Sequence, residues 1–201
     1  MRIFWIIIGG YLLGSILFGE IFLKLLKKKE IRNEGSDGNP GTFNAFAGGG
    51  MLCGILTLLC DLGKGALPVF LYLQFHGSKS PGGTLVLVML APVLGHAFPV
   101  YRGFKGGGKA IAVSFGVLLG LVPNLVPVLI LAFFYLLYSA FRIQPHSKRS
   151  ILTFSCATAT SLFLVKESAL KLGMALISTV VVGKHVWSDR LCRENRLEEI
   201  K

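Results

Sequence analysis

Two clusters of residues in this chain have the types and spacing that handle phosphate. The first is Arg32-Asn33-Glu34-Gly35-Ser36-Asp37-Gly38-Asn39-Pro40-Gly41-Thr42-Phe43-Asn44. Its glycines and proline define a built loop, and its polar side chains and free backbone N–H groups fall just before an apolar run, where a helix start attracts anions. A connecting turn capped by Asn and Thr would need about four such residues, and this run is longer. The second cluster is Gly95-His96-Ala97-Phe98-Pro99-Val100-Tyr101-Arg102-Gly103-Phe104-Lys105-Gly106-Gly107-Gly108-Lys109. Consecutive glycines let the backbone approach a ligand closely, and Lys105 and Lys109 can pair with phosphate oxygens. Gly103 to Lys109 even reads as the start of a nucleotide-binding P-loop. However, Ala110 stands where Ser or Thr would hold magnesium, and an apolar span precedes the loop in place of a strand. A phosphate cradle is supported and an NTPase is not. The plainer alternative is a basic linker that only sets topology.

A smaller set accompanies them. Asp61 and Lys64 lie three apart among apolar residues, where charges are costly and tend to mark function, each as the other's partner. The alternative is a helix that ends there and leaves both in water. His96 and His185 each end an apolar run beside basic residues. No Cys/His set has metal-ligand spacing, and no G-x-S-x-G elbow offers a serine nucleophile. Chemistry would then proceed by direct attack of one bound substrate on another, with the protein supplying position and charge.

Composition decides what must hold these clusters. The chain has 201 residues, 53% hydrophobic and only 15% charged, with a mean hydropathy of +0.66. Residues 110–141 contain no charged side chain. A globule of this size could not bury so much apolar surface, but a bilayer can receive it. A soluble protein and a large extramembrane catalytic domain are both excluded. The net charge of +11 sits in short clusters between apolar runs, as orientation signals do, so nucleic acid is not an expected partner. The four cysteines, Cys53, Cys60, Cys156 and Cys192, read as free thiols or apolar fillers.

The expected architecture is therefore all-α: a polytopic integral membrane helical bundle forming one domain over residues 1–201. Candidate spans are 3–23, 45–75 (interrupted by Asp61-Leu62-Gly63-Lys64-Gly65), 84–100, the two halves of 110–141 turning at Pro123-Asn124, 151–165 and 169–183, with a charged tail from 184. The basic cluster after the first run and the absence of a small-residue cleavage site favour a retained span over a signal peptide. The segments 24–44, 102–109, 142–149 and 184–201 hold 16 of the 21 Lys and Arg residues. Those segments are placed in the cytoplasm, giving about seven spans with the N-terminus outside and the C-terminus inside.

Taken together, Tyr11-Leu12-Leu13-Gly14-Ser15-Ile16-Leu17-Phe18-Gly19, the 32–44 loop, Asp61-x-x-Lys64-Gly65 and Gly95-His96 through Lys109 resemble the PlsY-type acyl-phosphate:glycerol-3-phosphate acyltransferases. They occur in the family's order and cover most of the chain. The resemblance implies a small seven-helix membrane enzyme with its active site open to the cytoplasm, without cofactor or metal. Its substrates would be acyl phosphate and glycerol 3-phosphate, in contact with membrane lipid, and its products lysophosphatidate and phosphate, in bacterial phospholipid synthesis. Ser36, Lys109 and His185 would be catalytic, His185 matching the histidine of the family's C-terminal H-R-E-N element. Arg32, Asn39, Asn44, His96, Lys105, Gly106, Gly107, Gly108 and Ser188 would bind substrate.

The chain also departs from the family pattern. Asp37 is an insertion, Phe43 replaces a Thr, and Ala47 stands where an arginine is common. The second loop has an extra glycine before Lys109 and Ala110 after it, and Ser188 takes the place of an Asn. These departures keep a rival open: a transporter or binding protein for a phosphorylated metabolite, or a catalytically altered paralogue.

Overall fold

The structure is a computed structural model that describes residues 1–27, 39–76 and 82–198. Among the described residues it is all-helical, with eight α-helices: α1 Arg2–Gly14, α2 Phe18–Lys27, α3 Thr42–His76, α4 Gly82–Ala97, α5 Ile111–Leu119, α6 Val126–Ala140, α7 His146–Leu164 and α8 Ser168–Glu198. In a bilayer every backbone N–H and C=O must be paired internally, which apolar sequence achieves as helix. Three helices, α3, α8 and the stretch Gly82–Arg102, are long and apolar enough to cross a membrane, and the bent pair α1–α2 makes a fourth.

Several expected boundaries move. The first run is not one straight span: α1 and α2 meet at a bend of 41° across residues 15–17. The expected interruption at Asp61–Gly65 does not occur, because α3 continues through it. Asp61 and Lys64 neutralise each other one turn apart at 2.8 Å, so their charges need no exit to water. The break lies instead at Gly50, whose φ of 77° leaves the helical region. The basic 142–149 segment opens into α7, and the charged tail from 184 is the continuation of α8 as far as Glu198. The turn at Pro123-Asn124 does separate α5 from α6, with Asn124 Oδ1 accepting the Val126 N–H at 3.3 Å.

The core joins Val88, Met89 and Val93 of α4 to Val113 and Val117 of α5, Leu131 of α6, Phe154 of α7, and Met174, Ile177 and Val181 of α8. Large apolar side chains such as Leu129, Phe133, Leu136, Phe163 and Leu164 point outward, as they would toward lipid tails. Small residues set the spacing that matters for the site. A Cβ on Gly65 would strike the backbone of Val113, and one on Gly116 would strike the Leu62 carbonyl. Backbone-to-backbone contact of this kind is how membrane helices gain packing energy without a hydrophobic drive between them. It sets the Asp61–Lys64 turn against the first turns of α5.

Candidate active site

The glycine loop between α4 and α5 is pinned by the first two helices. Tyr11 donates its hydroxyl to the Phe98 carbonyl at 2.6 Å, and Ser15 Oγ accepts the Val100 N–H at 3.3 Å. Glu20 of α2 pairs with Arg102. Beyond these anchors the chain turns with Gly103, Phe104, Gly106 and Ala110 all in the left-handed region. Gly106 and Gly103 hold that conformation without the Cβ clash that Phe104 and Ala110 carry. Left-handed residues in a glycine-rich turn of this kind let backbone N–H groups gather into a concavity suited to an anion. Gly108 donates its N–H to the His96 carbonyl at 3.0 Å, and a Cβ there would overlap His96 Nε2. Only glycine fits that position.

His96 itself is oriented by a buried network. Asp61 and Lys64 are about 1–2% exposed. Lys64 Nζ reaches Asp61 Oδ1 at 2.8 Å, the Ile16 carbonyl at 2.6 Å and His96 Nδ1 at 2.9 Å. These three acceptors match the three N–H bonds of an ammonium group. The Ile16 carbonyl belongs to the break between α1 and α2, so Lys64 satisfies a group the bend has released. Because Lys64 donates to Nδ1, the His96 proton resides on Nε2 and faces the Gly108 side of the loop. Thr42 Oγ1 donates to Asp61 Oδ2 at 3.4 Å, which ties the start of α3 to the same network.

Two cavities meet beside this loop. One, of about 330 Å³, is lined by Lys105, Gly106, Gly107 and Phe104 from the loop and by Lys184, Trp187, Ser188, Leu191 and Cys192 of α8. The other, of about 610 Å³, has mostly apolar walls, including Phe43, Phe46, Leu58, Leu62, Ile111, Phe115, Leu119 and Val128, with Asn44, His96, Tyr135 and His146 among its polar groups. Asn39 and Lys109 line both. The open N–H groups of the first turn of α5 follow directly after Lys109, adding to its attraction for an anion. Asn39 is placed by the Asn44 side-chain amide, which donates to its carbonyl at 2.9 Å.

The sequence-derived candidates thus divide. Lys105, Gly106, Gly107 and Ser188 share the cationic chamber, Asn44 and His96 the apolar one, and Asn39 and Lys109 the junction. Gly108 lines neither and serves as packing against His96. His185 is fully buried and lines neither chamber. Its Nδ1–H donates to the Val181 carbonyl at 2.8 Å, and its ring stacks on His146 with centroids 6.4 Å apart. Its Nε2 has no hydrogen-bond partner among the described residues. Arg32 and Ser36 lie outside the described residues. Lys184 and His146 were missed in the sequence because each sits in a basic cluster that reads as a topology signal; their position on one helix face with Ser188, or stacked on His185, appears only in three dimensions.

An all-helical membrane bundle with a cationic chamber and an apolar one that share Asn39 and Lys109 suits the class of membrane enzyme that joins a phosphorylated head group to an apolar chain. The chain belongs to the glycerol-3-phosphate acyltransferase family, whose model matches residues 4–193. It is 36% identical over 207 residues to a glycerol-3-phosphate acyltransferase of Staphylococcus aureus (strain Newman), covering 100% of this chain and 98% of that one. It is also similar to the crystal structure of PlsY, an integral membrane glycerol 3-phosphate acyltransferase, in its glycerol 3-phosphate form. There the TM-score is 0.82 at 30% identity, over 98% of this chain and 94% of the other. The lysophosphatidic acid form of PlsY matches with a TM-score of 0.80 at 27% identity, over the same shares of the two chains.

Proposed function

We propose that this protein transfers an acyl group from acyl phosphate to the 1-hydroxyl of glycerol 3-phosphate, giving lysophosphatidate and inorganic phosphate in the bacterial cell membrane. The observation that carries this reading is the pair of abutting chambers sharing Lys109 and Asn39. An acyl phosphate lays its chain along the apolar chamber and brings its phosphate to Lys109. Glycerol 3-phosphate occupies the cationic chamber, with its free hydroxyl facing the acyl carbon at the junction.

The hydroxyl oxygen then forms the new ester bond while the bond from the acyl carbon to the phosphate oxygen breaks, and phosphate departs with that electron pair. Lys109, the glycine-loop N–H groups and His96 Nε2–H stabilise the charge that accumulates on the phosphate and on the acyl oxygen. The hydroxyl proton passes to an oxygen of the departing phosphate, while His185, whose Nδ1–H is committed to the Val181 carbonyl and whose Nε2 lies outside both chambers, positions His146 by stacking on it. His146 forms the wall between that nitrogen and the apolar chamber. Arg32 and Ser36 are assigned to the acceptor side on the strength of the sequence resemblance.

The whole chain forms one domain with about seven crossings, counting the shorter helices, with the N-terminus outside and the C-terminus and site on the cytoplasmic face. The concentration of Lys and Arg in the segments flanking the site supports that orientation. A transporter would also use charges at membrane depth such as Asp61 and Lys64; here Lys64 reaches the Ile16 carbonyl and His96 and Asp61 accepts from Thr42, which gives the pair a role in holding the site. Lys109→Ala tests the reading. The variant inserts in the membrane as the parent does and loses on the order of a hundredfold or more in kcat/KM; full activity would remove Lys109 from the chemistry.

A further inference from the structure

The cationic chamber contains a lysine that lies outside both loop motifs. From α8, residues 184, 187, 188, 191 and 192 line it, the spacing of a single helix face. Lys184 stands at the inner end of that strip, beside the buried His185, while Trp187 and Leu191 are exposed. Its ammonium lies 5.1 Å from the centre of the Phe98 ring and 5.4 Å from that of Trp187. No carboxylate of the described residues forms an ion pair with it; the ion pairs among them are Asp61–Lys64 and Glu20–Arg102. Two aromatic faces hold a cation in place while leaving its charge intact. Lys184 therefore adds positive charge, together with Lys105 and Lys109, to the smaller of the two chambers.

Both substrates of the proposed reaction carry phosphate, and the two phosphates cannot use one seat. An acyl phosphate with its chain in the apolar chamber must place its phosphate at the junction, where Lys109 is. Lys184 lines only the cationic chamber. We propose that Lys184, steadied by Phe98 and Trp187, is a substrate-binding residue that seats the phosphate of glycerol 3-phosphate. The inference rests on the acyltransferase reading for the identity of the ligand, and on the chamber's lining for the seat.

The test compares the full-length parent with Lys184→Met and Lys184→Arg, purified in detergent. Steady-state rates are measured with each substrate varied, and glycerol 3-phosphate binding is followed separately by calorimetry. Loss of one charge-assisted contact raises KM for glycerol 3-phosphate, and its dissociation constant, roughly tenfold or more in Lys184→Met. KM for acyl phosphate stays within about twofold and kcat is largely kept, the pattern of lost ground-state binding. Lys184→Arg retains most of the affinity. An unchanged KM and dissociation constant for glycerol 3-phosphate would overturn the assignment, and so would a rise confined to acyl phosphate. Should Lys184→Met fail to fold, Lys184→Gln carries the same expectation. If the parent binds glycerol 3-phosphate but forms no lysophosphatidate, the acyltransferase reading fails while the calorimetric comparison still decides the seat.

Discussion

Replacing Lys64 by Met removes one member of a buried ion pair and sets three groups adrift at once. Asp61 is left as an uncompensated charge about 1% exposed, and the Ile16 carbonyl and His96 Nδ1 lose the donor that reaches them at 2.6 and 2.9 Å. Removing one partner of a buried pair costs about 3–5 kcal/mol, which for a chain of this length corresponds to a drop in melting temperature of roughly 6–20 °C. The double variant Asp61→Leu/Lys64→Met removes the stranded charge as well. An apolar pair of similar volume is often as stable as the ion pair it replaces, so the double variant recovers part of the lost stability. It falls short by about 1–3 kcal/mol for the unsatisfied acceptors.

Activity should not recover with it. Without Lys64, nothing in the network directs the His96 proton to Nε2 or fixes the ring against the Gly108 side of the loop. Misplacement by about 1 Å can cost on the order of a hundredfold in rate. The assay is thermal unfolding of the purified single and double variants in one detergent, with lysophosphatidate formation measured on the same samples. A single variant that melts with the parent would refute the energetic argument. A double variant no more stable than the single would do the same, and one with full activity would show that the network only supports the fold.

The other expectations concern the loop and the chambers. Gly108→Ala drives a methyl group into His96 and should abolish most activity, whereas Gly9→Ala, with open space around it, should be active and as stable as the parent in the same melt. Phe115→Trp fills part of the apolar chamber; the ratio of kcat/KM for decanoyl phosphate to that for palmitoyl phosphate should rise, and an unchanged ratio would place the acyl chain elsewhere. Glu20→Gln breaks a partly exposed ion pair to Arg102 and should cost about 1 kcal/mol or less in a denaturation experiment, because Tyr11 and Ser15 still hold the segment before the loop.

Much of this site is legible in the residues themselves. Glycine clusters beside Lys105 and Lys109 announce a phosphate cradle because few other folded structures need consecutive glycines next to ammonium groups. The all-helical membrane class follows from uncharged runs that no small globule could bury. Helix boundaries are less legible. The Asp61–Gly65 segment looks like an interruption because two charges and two glycines stand in an apolar run; in the fold the charges cancel within one turn and Gly65 becomes a contact surface for α5. The α1–α2 bend leaves no proline or charge in the sequence to mark it, since its released Ile16 carbonyl is satisfied by a lysine 48 residues away. Lys184 and His146 are hidden for another reason. In sequence they are basic residues flanking apolar runs, and only the packing of α7 and α8 against the loop shows which chamber each one faces.

The central claim, acyl transfer from acyl phosphate to glycerol 3-phosphate, is tested most directly with purified protein in lipid. Palmitoyl phosphate and glycerol 3-phosphate are supplied together, palmitoyl-CoA serves as the parallel donor, and phosphate and lysophosphatidate are quantified in the same reaction. The account predicts equal amounts of phosphate and lysophosphatidate from the acyl phosphate and none from the thioester. Absence of product from palmitoyl phosphate by protein that still binds glycerol 3-phosphate would contradict it.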